Sequence, residues 1–218
     1  MARKPADQSV NREEIIAAAA DILRRNGYDA TTMKDIAAQV NLTAASLYHH
    51  FKGKDFLLLA VLELGLDHVI DLLEPIVQSS LPNPEKLKRM IETHIVGVTN
   101  NTAVGAAMVF EIKALMNARK APRSSGVSEE DFEEFIERRD AFFERRSYFE
   151  KLFRGVVEAG IRAGDFRAVD ATIVTKAMLG AHNWVGVWYK DGGRLDGRQI
   201  AEIMVDTFLT TLHPVPSH

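Results

Sequence analysis

Thr43, Ala44, Ala45 and Ser46 form a row of small and hydroxyl side chains, followed at once by Leu47, Tyr48 and His49. Thr32 stands upstream of this row, and Lys52 and Lys54 stand downstream of it. Hydroxyl, phenol, imidazole and ammonium groups at this density suit hydrogen bonding to phosphate oxygens. The alanines permit close approach to the edges of stacked bases, and a methyl group there can meet a thymine methyl. A plainer reading uses the same residues: Thr32 and Thr43 also fit helix caps, and Tyr48 also fits packing.

The elements that must hold these groups are legible from the apolar spacing. Ile15, Ile16, Ala19, Ile22 and Leu23 share one face of a helix expected over 11–26, and Gly27 sits where a helix end takes a left-handed residue. Thr32 opens a second helix, with Asp35 three positions on as a capping-box-like pair and Ile36, Ala37 and Val40 as its apolar stripe. Asn41 tolerates a left-handed turn, Thr43 caps a third helix, and Leu47 and Phe51 anchor that helix to the core. Two short helices joined by a tight turn present the second helix to the major groove of DNA. In that arrangement Thr43, Ala44, Ala45 and Ser46 face base edges, and Thr32, Thr43, Tyr48, His49, Lys52 and Lys54 face phosphates.

Charge supports this assignment modestly. The chain of 218 residues has a net charge of −3, yet residues 1–54 hold eight Lys/Arg against six Asp/Glu, and the remainder is acidic. A slightly basic head on an acidic body fits a nucleic-acid reader. There is no cysteine, so disulfides, thiolate metal sites and a cysteine nucleophile are excluded. The N-terminal stretch has no apolar run of the secretory type and no segment looks membrane-spanning, so a soluble cytoplasmic protein is expected.

The rest of the chain is expected to be helical, without sustained strand alternation. A helix over 54–78 is apolar around most of its circumference but keeps a polar seam of Asp55, Glu63, Asp67, Asp71 and Glu74. Pro82 and Pro84 precede a helix expected from residue 85 to 100, and another is expected over 103–118. Residues 121–128 read as the clearest internal loop, and the C-terminal HPVPSH as a frayed tail. Further helices are expected over 129–163, 170–190 and 196–212. The total is about nine.

The combination of Thr32, Asp35-Ile36-Ala37, Leu47-Tyr48, Phe51 and Lys54 at these spacings resembles the TetR family of bacterial transcriptional regulators. One departure is Asn41, where that family usually has Gly. The resemblance implies an all-α fold, with residues 1–54 as a DNA-binding helix-turn-helix domain and 55–218 as a ligand-binding and dimerisation domain. It assigns phosphate contacts to Thr32, Tyr48 and Lys54 in particular. It also implies that the last two helices build a homodimer, which would offer two recognition helices to a pseudo-palindromic double-stranded operator.

Ala177, Ala181, Ile200, Ile203, Met204, Thr207 and Phe208 suit the dimer role through small residues on one helix and an apolar stripe on the next, with ordinary core as the alternative for some of them. On a helical wheel Arg139 and Arg146 point into the Phe-rich face of the 129–163 helix, beside Phe135, Phe142 and Phe149. Buried arginines need partners. Glu150 supplies a local one for Arg146; the other reading is that an arginine binds an anionic group on a mostly apolar ligand. Asn183, Trp184 and Trp188 are either aromatic packing or part of the same ligand box. The NW-x3-WY pattern and the preceding RAGDFRAVD also resemble a TetR subgroup that controls fatty-acid and steroid catabolism. That resemblance implies a small apolar or acyl-CoA-like effector.

No catalytic constellation, cofactor motif or metal-ligand spacing is found, and His68, His94 and His182 lie far apart in sequence. The expectation is therefore a regulator, most simply a repressor, and not an enzyme. The alternative is a DNA-associated adaptor whose body binds a protein in place of a small molecule.

Overall fold

Asn11 caps the first helix, its side chain accepting the Glu13 N–H at 3.3 Å, and Ile15, Ile16, Ala19, Ile22 and Leu23 are all buried beneath it. The computed structural model describes residues 11–110, 112–117 and 128–214, and every regular element among these is an α-helix. The helix α1 (Arg12–Ala30) is interrupted at Gly27, whose φ of 75° and ψ of 167° only glycine adopts readily. Regular turns thus end where the apolar face ends, and a short further turn carries the chain to Thr31.

The helix α2 (Met33–Gln39) starts with a full capping box: Asp35 N–H donates to the Thr32 hydroxyl, and Thr32 N–H donates to the Asp35 carboxylate at 2.9 Å. Asn41 then takes φ 56°, and α3 (Ala44–His50) begins with Thr43 accepting the Ser46 N–H at 3.0 Å. Leu47 and Phe51 are buried, which fixes the rotation of this short helix and turns its opposite side outward.

The connector α4 (Lys54–Gln78) has the expected length. The helix α5 (Asn83–Asn100) begins two residues earlier than expected, with Pro84 inside its first turn. A proline there is harmless because the first amides of a helix have no carbonyl to donate to. The span expected as one helix over 103–118 is helical in both its described stretches, α6 (Thr102–Phe110) and α7 (Ile112–Asn117), with residue 111 outside the described residues. The loop expected over 121–128, Ser128 apart, lies outside the described residues, as do 1–10 and 215–218. The long helix α8 (Glu129–Ala163) is capped by Ser128 and ends at Gly164 with φ 79°. Asp170 and Asp196 cap α9 (Ala171–Trp188) and α10 (Gly197–Leu212). The all-helical fold expected from the sequence is thus the one observed among the described residues.

The acidic seam of α4 is where α8 attaches. Arg138 donates to Glu63 at 2.6 Å, Arg145 to Asp67 at 2.8 Å and the Tyr148 hydroxyl to Glu74 at 2.9 Å. The residue numbers rise together along both helices, so α4 and α8 run in the same direction. Below the seam Phe56 and Phe135 rings pack 5.1 Å apart, and α1 packs on both α4 and α6. Head and body consequently share one continuous apolar core. Against α9, α6 approaches backbone to backbone: a Cβ on Gly186 would lie 3.1 Å from the Gly105 carbonyl carbon.

Candidate functional site

In the head, the side of α3 opposite Leu47 carries Ala45, Tyr48 and His49, all exposed, with Ala44 and Ser46 half-buried beside them. Tyr48 is 50% exposed, and its hydroxyl has no partner among the described residues. Thr32 and Thr43 are exposed as well as capping, so each keeps an oxygen at the surface while closing a helix end. The Thr32 hydroxyl and backbone amide both hold the Asp35 carboxyl below its ordinary range. That charge is thereby tied to the α2 N-terminus, beside the exposed face of α3.

The two lysines differ sharply. Lys52 is exposed, and its ammonium approaches Asp131 at the start of α8 at 3.6 Å. Lys54 is turned inward: Nζ donates to the Tyr28 carbonyl at 2.6 Å and to the Thr31 carbonyl at 2.9 Å. It also sits 4.1 Å from the Tyr28 ring centre. The Tyr28 hydroxyl donates in turn to Asp55, whose pKa is raised by burial. Lys54 thus clamps the end of α1 in the DNA-free chain.

In the body, α4, α5, α6, α8 and α9 enclose a mostly apolar cavity of about 120 Å³. Leu66, Val69, Val98, Val104, Met108 and Phe149 supply its apolar walls, with His68, His94, Asn101, Asn183 and Arg146 as polar members. Gly97 also lines it, and nothing lies within 4 Å of where a Cβ would stand. A second cavity of about 210 Å³ shares Arg146, Phe149 and Asn183 with the first and adds Glu150, Lys176, Leu179 and Gly180. An apolar chamber thus adjoins a charged one.

Of the residues expected to line a ligand site, Arg146, Phe149 and Asn183 are in these walls, whereas Phe135, Arg139, Phe142, Trp184 and Trp188 are not. Arg139 is 3% exposed, pairs with its neighbour Asp140, and leaves Nη1 without a partner among the described residues. Arg146 is exposed, contrary to the burial expected from its wheel angle. Glu150, expected to pair with it, instead accepts from Lys176 at 3.0 Å. The tryptophans stand on the surface, 52% and 46% exposed.

With Ile173, Ala177 and Gly180 the two tryptophans form one exposed stripe along α9, at helical spacings of three or four residues. On α10, Ile203 and Thr207 are exposed, while Ile200 is core and Phe208 packs against His182. Ala181 and Met204 are half-buried.

One pairing was invisible in the sequence. His94 on α5 and His182 on α9 are buried and meet Nδ1 to Nδ1 at 3.2 Å. Phe149, Phe153 and Phe208 surround them. Burial pushes His94 down to about 4 and lowers His182 well below its ordinary value, with the neighbouring His94 adding to the second shift. Both rings are neutral at physiological pH. No cluster of three or more metal-binding side chains occurs among the described residues, and no described helix is long and apolar enough to cross a membrane.

Two family models match separate parts of the chain. "Bacterial regulatory proteins, tetR family" matches residues 15–61, and "Tetracyclin repressor-like, C-terminal domain" matches residues 126–212. The HTH-type transcriptional repressor KstR2 of Rhodococcus jostii is 28% identical over 208 residues, 93% of each chain. The structure of AibR in complex with isovaleryl coenzyme A and operator DNA is 26% identical, with a TM-score of 0.69 over 90% of this chain and 96% of that one. The ketosteroid transcriptional regulator KstR2 of Mycobacterium tuberculosis, 22% identical, shares the fold at a TM-score of 0.78 over 98% of this chain and 100% of that one. With head and body each matched, and with a helix-turn-helix exposing α3, the chain belongs to the TetR family of DNA-binding transcription regulators and is not an enzyme.

Proposed function

We propose that this regulator is a homodimeric repressor of a pseudo-palindromic operator, released by an amphipathic anion of the acyl-CoA class. The observation that carries the effector class is the wall of Arg146, Phe149 and Asn183 shared by an apolar cavity and a charged one. An acyl chain in the first leaves its anionic head beside Arg146 and Lys176 in the second, where charge-assisted hydrogen bonds are strongest. Two relatives support the reading: KstR2 is named a repressor, and AibR was solved with isovaleryl coenzyme A and operator DNA.

In this reading α3 enters the major groove with Ala44, Ala45 and Ser46 at base edges. Thr32, Thr43, Tyr48, His49 and Lys52 contact phosphates, and Lys54 supports them from behind. The exposed stripe of α9 and the Ile203–Thr207 face of α10 pair with a second copy. The two recognition helices then sit one turn of DNA apart, about 34–36 Å. Effector binding between α4, α5 and α8 displaces α4, which carries the head, and alters that spacing. To move the balance from 99:1 to 1:99 the effector must prefer the released state by about 5.5 kcal/mol.

Fluorescence anisotropy on DNA from upstream of the protein's own gene tests both halves. Binding at low salt that acyl-CoAs weaken is expected. Arg146→Ala removes the head-group contact, and Gly97→Leu fills the apolar cavity, so both variants should hold DNA in the presence of acyl-CoA. Failure to bind any fragment at low salt sinks the operator reading, and binding that no acyl-CoA weakens sinks the effector class.

A further inference from the structure

The His94–His182 pair lies where the effector cavity meets the helices assigned to dimerisation, and neither the helix-turn-helix nor the anion-binding wall uses it. His94 is 6% exposed and belongs to the cavity lining, while His182 is fully buried one layer behind it. A single hydrogen bond joins them through the two Nδ1 atoms. Each ring has a second nitrogen. That of His182 is buried and unpartnered among the described residues, and that of His94 is the free nitrogen of a ring that faces the cavity.

A hydrogen bond between two Nδ1 atoms of neutral rings requires one to be protonated and the other bare. If His94 carried its proton on Nδ1, His182 would be forced to bury an N–H with no acceptor. If His182 carries the proton on Nδ1, only a lone pair is orphaned behind the cavity. Orphaned buried donors are the rarer and costlier case. The second arrangement leaves His94 with its proton on Nε2, a neutral donor presented to whatever fills the cavity. Charge is not on offer: burial among Phe149 and Phe153 keeps the ring unprotonated above about pH 4.

We infer that His94 donates a hydrogen bond from Nε2 to a carbonyl oxygen of the effector, in a tautomer fixed by His182. The inference rests on the effector reading above and deepens it. Arg146 holds an anionic head, whereas His94 reads a neutral acceptor deeper in, of the thioester or ketone type. Through His182 the contact is registered on α9, between the cavity and the exposed stripe of Trp184 and Trp188.

Two measurements test this. In protein carrying 15N-labelled histidine, two-bond correlation spectra assigned with H94Q and H182Q should show His182 protonated on Nδ1 and His94 on Nε2; the reverse pattern overturns the proposal. In calorimetry, acyl-CoAs of four, eight and sixteen carbons are each compared with the alkyl-CoA thioether that lacks only the carbonyl oxygen. Wild type should prefer the thioester by about tenfold, because the analogue leaves a buried donor unpaired. H94F should bind both alike, and H94Q, which keeps an N–H near the same place, should regain part of the preference. Equal affinities in wild type, or an unchanged preference in H94F, overturn the carbonyl contact and leave the acyl-CoA reading standing. Absence of binding by every thioester and thioether overturns that reading and this one together.

Discussion

The ammonium of Lys54 caps the end of α1 by donating to the Tyr28 carbonyl at 2.6 Å, with the Tyr28 ring 4.1 Å away. The first residue of the connector helix therefore secures the last turn of the first helix.

Lys52 and Lys54 should separate on that basis. A lysine that neutralises a phosphate contributes about 0.9 to the slope of log affinity against log salt. Lys52→Ala is expected to lower the slope by about that amount with little change in stability. Lys54→Gln is expected to leave the slope alone and cost stability, about 1.5–3 kcal/mol for the loss of charged hydrogen bonds. Anisotropy titrations at several salt concentrations, with urea unfolding alongside, check both, and a slope change for Lys54→Gln would restore it to the phosphate contacts.

Much of the head was legible because its signals are local. Thr32 and Asp35, Thr43 and Ser46, and the left-handed Asn41 satisfy one another within three or four residues, so spacing alone identifies them. The body was less legible because its key contacts cross between helices. The partners of Lys54 lie 26 and 23 residues upstream, and His94 meets His182 across 88 positions. A helical wheel also gives an angle and not a depth. Arg139 and Arg146 lie close together on the wheel, yet one is buried and the other sits at a cavity wall, because the neighbours of α8 change along its 35 residues. In sequence Trp184 and Trp188 fit a ligand box or packing alike; only the exposed stripe they share with Ile173 and Ala177 reveals an uncovered face.

The histidine pair makes stability depend on pH. Both rings are neutral in the fold, with His94 lowered from 6.5 to about 4, and both protonate near their ordinary value once unfolded. Between about pH 6.5 and 4 the unfolded chain therefore binds more protons, so stability is full above this window and is lost as pH falls through it. For His94 the difference is on the order of 3 kcal/mol. Urea unfolding at pH 7.5 and 5 should show the loss in wild type and a much smaller one in the H94F/H182F double variant; equal losses would remove the pair as its source.

Arg139 is expected to be dispensable for effector response and unfavourable as a buried charge. Its Nη1 has no partner among the described residues, and its one carboxylate neighbour, Asp140, is half exposed. Replacing it with an apolar side chain of similar length removes a desolvated cation while keeping the packing of its stem. R139M should match or exceed wild-type stability, whereas R139A should lose about 2–4 kcal/mol through the cavity it leaves. Release from DNA by acyl-CoA should be intact in R139M. Equal damage in both variants would mean that the guanidinium itself holds the fold.

The stripe on α9 gives the sharpest test of the dimer. Trp184 and Trp188 are about half exposed in the single chain, with Ile173 at 63% and Ile203 at 53%. Covering a large apolar side chain contributes roughly 1.5–3 kcal/mol, and two-fold symmetry makes every such contact occur twice. In the proposed dimer a glutamate at position 184 would place two carboxylates in the covered face, where burial penalises their charge. Because the side chain is at the surface of the protomer, Trp184→Glu should leave folding cooperative and helicity unchanged. Sedimentation equilibrium should show a monomer, and operator affinity should fall at least a hundredfold as the two half-sites lose their joint hold. A Trp184→Glu protein that remains dimeric and binds DNA like wild type would move the interface away from α9.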